Sequence, residues 1–355
     1  MKLLFITSTL LPGGAERVLS SYADYFSKNH DVYILKLDKG NPYYELSKKV
    51  KVMSLNLFSE SLSFIDTIKK TIRRIIAIRK IILYLKPDKI ISFQTKINIL
   101  SIIAALFLFK RVIIFEQIHH LYEESKLVKI LRIFFYFFAK KIIVLSEFDR
   151  KYYKIINSDV YYIPNPISIK TKKDVEYERK ENIILNVGRL ENQKNQKELI
   201  EIFSSINEKK DYRVLIYGEG SLRNDLANLI KNKKMEEKIF LKGNEKEIEK
   251  IYEKSKIFCL TSKAEGFPNV LIEAMAYGCV PIAFDCLTGP SDIIKDGFDG
   301  FLIKNFNTKE FASNMQLLIN NEEKLKIMSK NAFDSAKRFY REKVLSDASK
   351  ILGVH

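Results

Sequence analysis

Cysteine is scarce in this 355-residue sequence: Cys259, Cys279 and Cys286 are the only three. Their spacing fits no metal-ligand pattern and three are too few for a disulfide scaffold, so reduced thiols in a cytosolic protein are the simplest reading. Long apolar runs are missing too. The longest, Ile97 to Phe109, is interrupted by Asn98 and Ser101 and stops at Lys110-Arg111. A bilayer span needs about 20 apolar residues, so this run predicts a core helix. The start, Met1 to Leu11, breaks at Pro12-Gly13-Gly14 with no small-x-small cleavage site. It reads as a buried first strand, not a secretory signal. There is no low-complexity tract and no short-period repeat, and 46% hydrophobic with 29% charged residues excludes a disordered or collagen-like chain.

The chain has a strong excess of positive charge. The net charge is +17, and residues 1–165 carry 27 Lys/Arg against 14 Asp/Glu. Such a field attracts nucleic acid, a lipid surface or a phosphorylated substrate, and charge alone does not choose among them.

The length suits two domains of roughly 150–200 residues. In the first half, strands at 2–7, 31–37, 89–93, 112–115 and 141–145 alternate with helical patterns, the first being Glu16–Asn29 with Val18, Leu19, Tyr22 and Phe26 on one face. Ile163-Pro164-Asn165-Pro166 breaks regular structure. A second series follows: strands at 182–187, 213–217, 239–241, 257–260 and 280–283, helices at 195–207 and 221–231, and closing helices at about 308–320, 322–338 and 341–352. Strand–helix alternation implies parallel sheets and an α/β class, with two doubly wound domains. In such sheets ligands bind beyond the carboxyl ends of the strands, so a cleft between the domains is the expected site.

Several stretches sit at those strand ends. Pro12-Gly13-Gly14-Ala15-Glu16-Arg17 follows the first strand and opens a helix, where close backbone approach and free N–H groups suit an anion. Gly188-Arg189-Leu190, with Lys194 five residues after Arg189, places two cations where a diphosphate could lie. Tyr217-Gly218-Glu219-Gly220 ends the next strand. The densest signal is Glu265-Gly266-Phe267-Pro268-Asn269-Val270-Leu271-Ile272-Glu273: a turn leading into a helix near Asn269, with Glu265 just before it and Glu273 one turn inside. Histidines number four, and two of them adjoin as His119-His120 after the Val112–Phe115 strand.

These residues resemble the retaining family 4 glycosyltransferases of bacterial envelope-polysaccharide type. Residues 187–303 are similar to their nucleotide-sugar domain, 12–17 to their first loop and 163–166 to their interdomain segment. The resemblance implies the GT-B fold: two Rossmann-like domains facing a cleft, with 1–166 binding the acceptor, 167–340 binding the nucleotide sugar and a C-terminal helix at about 341–355 packing back on the first. It implies that Arg189 and Lys194 bind the donor diphosphate, that Glu273 binds the ribose, and that Glu265 with Gly266, Phe267, Pro268, Asn269 and Val270 holds the sugar. Gly218 and Gly243 would border the nucleotide, and Gly13 and Gly14 the diphosphate and acceptor. A catalytic histidine or acid is implied after the 112–115 strand; His119, His120 and Glu116 all fit that place. No metal or cofactor is implied. Asp285-Cys-Leu-Thr-Gly-Pro-Ser-Asp292 is similar to relatives that use UDP-sugars.

Two basic stretches complete the reading. Ile68–Lys86 holds seven basic residues and no acid, with Lys69, Arg73 and Lys80 on one helical face and Ile68, Ile72, Ile75 and Ile82 on another; Lys126–Lys141 is basic and aromatic-rich. Both predict crossover helices that also meet an anionic membrane surface. The implied acceptor is a polyprenyl-diphosphate-linked glycan, and the implied location is the cytoplasmic face of the membrane. An NAD-dependent oxidoreductase is disfavoured because neither Gly13-Gly14 nor Gly218-Glu219-Gly220 completes the dinucleotide pattern. Nucleic acid is not an expected partner, since the basic stretches are interleaved with aliphatics and no reading motif is present.

Overall fold

A computed structural model of the chain describes residues 1–57, 63–108, 110–121 and 125–354, the side chains of Phe64 and Asn305 excepted. Phe109 of the longest apolar run and His355 of the C-terminal segment lie outside them. The chain forms two compact units, Met1–Ser168 with Arg341–His355, and Ile169–Tyr340.

In the first unit the strands are β1 (Lys2–Thr7), β2 (Asp31–Lys36), β3 (Lys51–Ser54), β4 (Lys89–Phe93), β5 (Val112–Phe115), β6 (Lys141–Val144) and β7 (Val160–Tyr162). They pair in the order β3-β2-β1-β4-β5-β6-β7, every pair parallel. In the second unit β8 (Glu181–Val187), β9 (Arg213–Tyr217), β10 (Ile239–Gly243), β11 (Ser255–Leu260), β12 (Val280–Phe284) and β13 (Phe301–Ile303) pair in the order β10-β9-β8-β11-β12-β13, again all parallel. Both sheets reverse direction of growth beside their first strand, between β1 and β4 and between β8 and β11, and each such point opens a crevice at the strand ends.

The pattern of β1 shows why the sequence folds this way. Leu3 and Phe5 enter one core with the helix Gly14–Phe26 and the C-terminal helix Arg341–Leu352. Leu4 and Ile6 enter the other, beneath the helices Phe64–Leu85, Thr95–Ala105 and Lys126–Tyr136. A strand covered on both faces must be apolar throughout, and Leu3 to Ile6 are. The short strands β3, β7 and β13 carry little such signal: β3 lies at the sheet edge and is mostly exposed. Val18, Leu19, Tyr22 and Phe26 are buried together as their spacing requires.

The helix Phe64–Leu85 departs from expectation. Its core stripe is Ile78, Ile82 and Leu85, with Ile75 partly buried. Ile68 and Ile72, expected on that face, are 45% and 50% exposed. At 100° per residue they sit roughly 80–120° round the helix from Ile78, beyond the sheet-facing stripe. Nor are its cations uniformly free. Arg79 Nη1 donates to the carbonyls of Ala104 and Leu106 at 3.2 and 2.8 Å, capping the neighbouring helix, and Arg74 Nε donates to Leu57 O at 3.0 Å. The helix Lys126–Tyr136 is turned the same way: Arg132 and Tyr136 are buried while Ile130 and Phe134 are 64% and 60% exposed. Among the described residues no helix is long and apolar enough to cross a membrane.

Candidate active site

In the second unit, the crevice between β8 and β11 brings two of the sequence candidates into contact. The loop after β8 carries Arg189 and Lys194; the loop after β11 carries Glu265. Lys194 Nζ donates to Glu265 Oε1 at 2.7 Å, with both side chains largely withdrawn from water. Neighbouring bonds fix the two loops together: Gln193 Nε2 donates to Ala264 O at 2.9 Å, the Lys263 amide donates to Gln193 O at 2.8 Å, and Thr261 Oγ1 donates to Asn195 O at 3.0 Å. A mobile lysine thereby becomes a fixed positive charge. Arg189 does not join the pair. Its side chain is 68% exposed and reaches Glu191 at 3.1 Å.

Glu265 stands immediately before the turn Gly266-Phe267-Pro268. The helix Asn269–Met275 follows, with Pro268 at its N-cap position and no side-chain cap bond from it. Phe267 and Pro268 are buried, while Gly266, Asn269 and Val270 are half-buried. Glu273 is buried within the helix and accepts from the Tyr252 hydroxyl at 3.3 Å. The loop after β12 supports this turn from behind: the Thr288 hydroxyl donates to Glu265 O. Gly289 has φ +97°, and a Cβ there would come within 2.5 Å of Pro268 Cδ. Thr288 and Gly289 lie in the Asp285–Asp292 stretch, whose sequence signal pointed to the donor and gave no hint of this supporting role.

Gly218 and Gly243 meet at the ends of β9 and β10, the Gly218 amide donating to Gly243 O at 2.8 Å. Gly218 has φ +136°, and a Cβ there would lie 2.0 Å from Gly188 O. Three strand ends are thus drawn together by bare backbone, with the Glu219 carboxylate beside Gly243 and the Lys194 side chain beside Gly188.

The first unit's crevice, between β1 and β4, is built around Glu16. This carboxylate is buried beside the Gly13-Gly14 turn and accepts from Gln94 Nε2 at 2.8 Å, while Ser8 Oγ donates to Gln94 Oε1. Burial pushes the Glu16 carboxyl above its ordinary range, against the pull of its own amide and of Gln94. Gly13 has extended backbone, but a Cβ there would lie 2.1 Å from Glu16 Oε2. The glycine is therefore needed for space, and Tyr44 Oη, 3.1 Å from Gly13 O, holds the turn.

The three candidates after β5 separate. Glu116 is enclosed, accepting from Thr95 Oγ1 at 2.7 Å and from the Tyr136 hydroxyl at 2.5 Å. Its place is in the core's polar network. His119 and His120 both meet Asp149 instead: their Nδ1 atoms lie 3.1 and 2.7 Å from Asp149 Oδ1. Ser146 Oγ donates to Asp149 Oδ2 at 2.7 Å. Burial would raise the Asp149 carboxyl, but hydrogen bonds from His119, Ser146 and His120 overcome it and hold the group at about 2. Against an ionised carboxylate each Nδ1–H donates there, in preference to His119 Nδ1 accepting from the Leu121 amide at 3.3 Å. His119 Nε2 is buried and has no hydrogen-bond partner among the described residues. His120 is stacked on Tyr152, ring centroids 3.9 Å apart, and burial lowers its pKa. These three side chains are the group of metal-ligating type among the described residues, and their separations are those of N–H···O hydrogen bonds. Sequence reasoning missed Asp149, although Ser146-x-x-Asp149 at a helix start was a legible capping signal.

Comparison with known proteins gives this geometry its context. Residues 12–171 match the family described as Glycosyltransferase Family 4 and residues 168–335 the family described as Glycosyl transferases group 1. A Campylobacter jejuni protein, GalNAc-alpha-(1->4)-GalNAc-alpha-(1->3)-diNAcBac-PP-undecaprenol alpha-1,4-N-acetyl-D-galactosaminyltransferase, is 33% identical over 343 residues, 96% of this chain and 94% of its own. The chain is a family 4 glycosyltransferase of the GT-B fold. The amylovoran biosynthesis glycosyltransferase of Erwinia amylovora is 31% identical to the transferase, over 99% of each chain. In fold, the transferase matches Anabaena HepE, solved in complex with UDP, with a TM-score of 0.80 over all of both chains at 17% identity. Its two parallel α/β sheets are those of the GT-B class, as the sequence predicted.

Proposed function

We propose that the transferase moves a hexose or N-acetylhexosamine from a UDP-sugar to a lipid-linked glycan, with retention at the anomeric carbon, in the building of a cell-envelope polysaccharide or lipopolysaccharide. The observation that carries this reading is the Lys194–Glu265 pair at the β8/β11 crevice: a fixed cation for a diphosphate beside a carboxylate for a sugar. Support for the acceptor comes from the undecaprenol-linked glycan in the name of the Campylobacter relative, and for the nucleotide from the UDP in the HepE complex.

In this reading the donor diphosphate lies over Lys194, and Arg189 swings from Glu191 to join it. Glu273 accepts from the ribose hydroxyls and Glu265 from hydroxyls of the donor sugar, with the backbone amides of Phe267 to Val270 nearby. The bond from the sugar's C1 to the phosphate oxygen breaks and a bond from the acceptor oxygen forms on the same face. The acceptor's proton passes to the departing phosphate oxygen, so the products are UDP and the extended glycan. Lys194 and Arg189 stabilise the charge that develops on the leaving group, so the step asks for no metal. His119, oriented by Asp149, presents Nε2 to a sugar hydroxyl. The exposed faces of the helices Phe64–Leu85 and Lys126–Tyr136 rest on an anionic bilayer, where the acceptor is anchored. A donor panel assayed for nucleotide release with a lipid-linked acceptor tests the reading; release of a nucleotide other than UDP overturns the donor.

A further inference from the structure

At the opposite end of the first unit's sheet from its crevice lies a cavity of about 570 Å³. It is walled by Lys89, Lys110, Arg111 and Lys140, with Phe107 and Phe138 at its side. Four cations line one space. Among the described residues Asp88 is the only acid in the wall, and it accepts from the Lys2 amide at 2.7 Å. Among the described residues no carboxylate is ion-paired with any of the four. Burial lowers the Lys89 pKa, with Lys140 and Lys141 pushing the same way against the opposing pull of Asp88. Like charges gathered around a cavity repel one another, and a bound anion relieves that repulsion.

The surroundings specify what kind of anion. Phe107 is 90% exposed and Phe138 39%. The helix Lys126–Tyr136 and the turn after it lead to this end of the sheet with Ile130, Phe134 and Phe137 all at least 60% exposed, spaced i, i+4, i+7 on one side. The helix Phe64–Leu85 shows Ile65, Ile68, Ile72, Ile76 and Leu83 along one line, each at least 45% exposed, and carries Tyr84, 79% exposed, in its last turn. The helix Thr95–Ala105 lies between them, packed on both. Apolar stripes with cations at their ends suit a bilayer interface. A polyanion such as RNA would meet the cations and leave these stripes in water.

We propose that this cavity seats the phosphate headgroup of an anionic phospholipid, with Phe107 and Phe138 in the acyl boundary beside it. The proposal rests on the membrane reading above and assigns it a specific site. The unit would lie on its helix-covered side, with the cavity at one end of that side and the β1/β4 crevice at the other.

Sedimentation of the full chain with phosphatidylglycerol/phosphatidylcholine vesicles tests this. Each near-surface cation contributes about fivefold to such binding. Lys89→Gln/Lys140→Gln and Lys110→Gln/Arg111→Gln should therefore each weaken it by about 25-fold. Lys231→Gln/Lys246→Gln, the same charge removed from the second unit, should change it less than about threefold. Phe107→Ser should weaken binding even with all cations kept. UDP release with a soluble glycan acceptor should be unchanged in every variant, which separates this proposal from the donor assignment and confirms folding. Equal losses from both units would make the attraction diffuse charge and overturn the site. Displacement by inorganic phosphate beyond that by chloride at matched ionic strength would make it a free-phosphate site, and displacement by a short RNA but not by neutral lipid would assign it to nucleic acid; either overturns the lipid.

Discussion

Lys194 and Glu265 are 71 residues apart in sequence and 2.7 Å apart in the fold, and the proposed transfer depends on that contact. Lys194→Ala and Arg189→Ala should each lower transfer by about 10²-fold, the scale for losing an electrostatic contact to a leaving group. Near-normal turnover in both, with the fold intact by circular dichroism, would remove them from the diphosphate. The two glutamates should part by role: Glu273→Gln should chiefly weaken UDP binding in calorimetry, and Glu265→Gln should chiefly lower kcat. The Asp149 cluster gives a pH signature. Its carboxyl is held at about 2, below the ordinary 3.8. Its contribution to stability is thus complete above about pH 4 and is lost as pH falls toward 2. His120 is shifted down by burial, so the unfolded chain takes up its proton first and stability falls as pH drops below about 6.5. Denaturant titrations should show Asp149→Asn flattening the acid limb and His120→Gln flattening the limb near pH 6. Unchanged profiles would mean that neither group titrates differently on folding. At this scale sequence showed which residue types gather at the strand ends. It could not show that Arg189 turns outward, that Glu116 is spent on hydroxyls in the core, or that Asp149 holds both histidines, because each depends on a neighbour distant in the chain.

Among the elements, strands were the most legible and exposed helix faces the least. β1, β4, β5 and β9 were fixed to the residue by apolar runs that burial on both faces requires. The helix Phe64–Leu85 was placed correctly, but its face was not, because isoleucines surround it and the sheet selects only one stripe. The cations of this helix divide in the same way: Arg79 caps a neighbouring helix, whereas Arg73 and Lys80 are exposed. Arg73→Gln/Lys80→Gln should consequently weaken vesicle binding without loss of stability, while Arg79→Gln should destabilise the fold by about 1–2 kcal/mol through the two carbonyls it leaves. Melting curves of the two variants distinguish these roles. Gly218 is the element-scale constraint on the second unit. Gly218→Ala should cost at least about 1–3 kcal/mol from backbone strain alone, before the clash with Gly188 O.

The whole molecule is two units of the same plan, and the chain returns to the first unit at its end. Val344, Leu345, Ala348 and Leu352 of the last helix are buried in the core beside β1. Removing residues 341–355 exposes several such side chains at about 1.5–3 kcal/mol each, a sum comparable to a domain's entire stability. In calorimetry the truncated chain should lose the transition of the first unit and keep that of the second. The doubly wound order of both sheets followed from strand–helix alternation, and the family from the strand-end motifs, because the same backbone demands recur wherever a diphosphate meets a parallel sheet. Which sugar is transferred was not legible, since that rests on hydroxyl contacts made by side chains that many sequences can supply. The central claim is that the crevice after β8 and β11 binds a UDP-sugar and expels UDP. Its most direct test is UDP release, measured across a panel of UDP-, GDP- and CMP-sugars with a polyprenyl-diphosphate-linked glycan, for the wild-type chain and for Lys194→Ala. A UDP-hexose or UDP-N-acetylhexosamine should be consumed with one sugar added to the glycan, and Lys194→Ala should abolish nearly all of it. Turnover of a GDP- or CMP-sugar instead, or full activity in Lys194→Ala, would contradict the account.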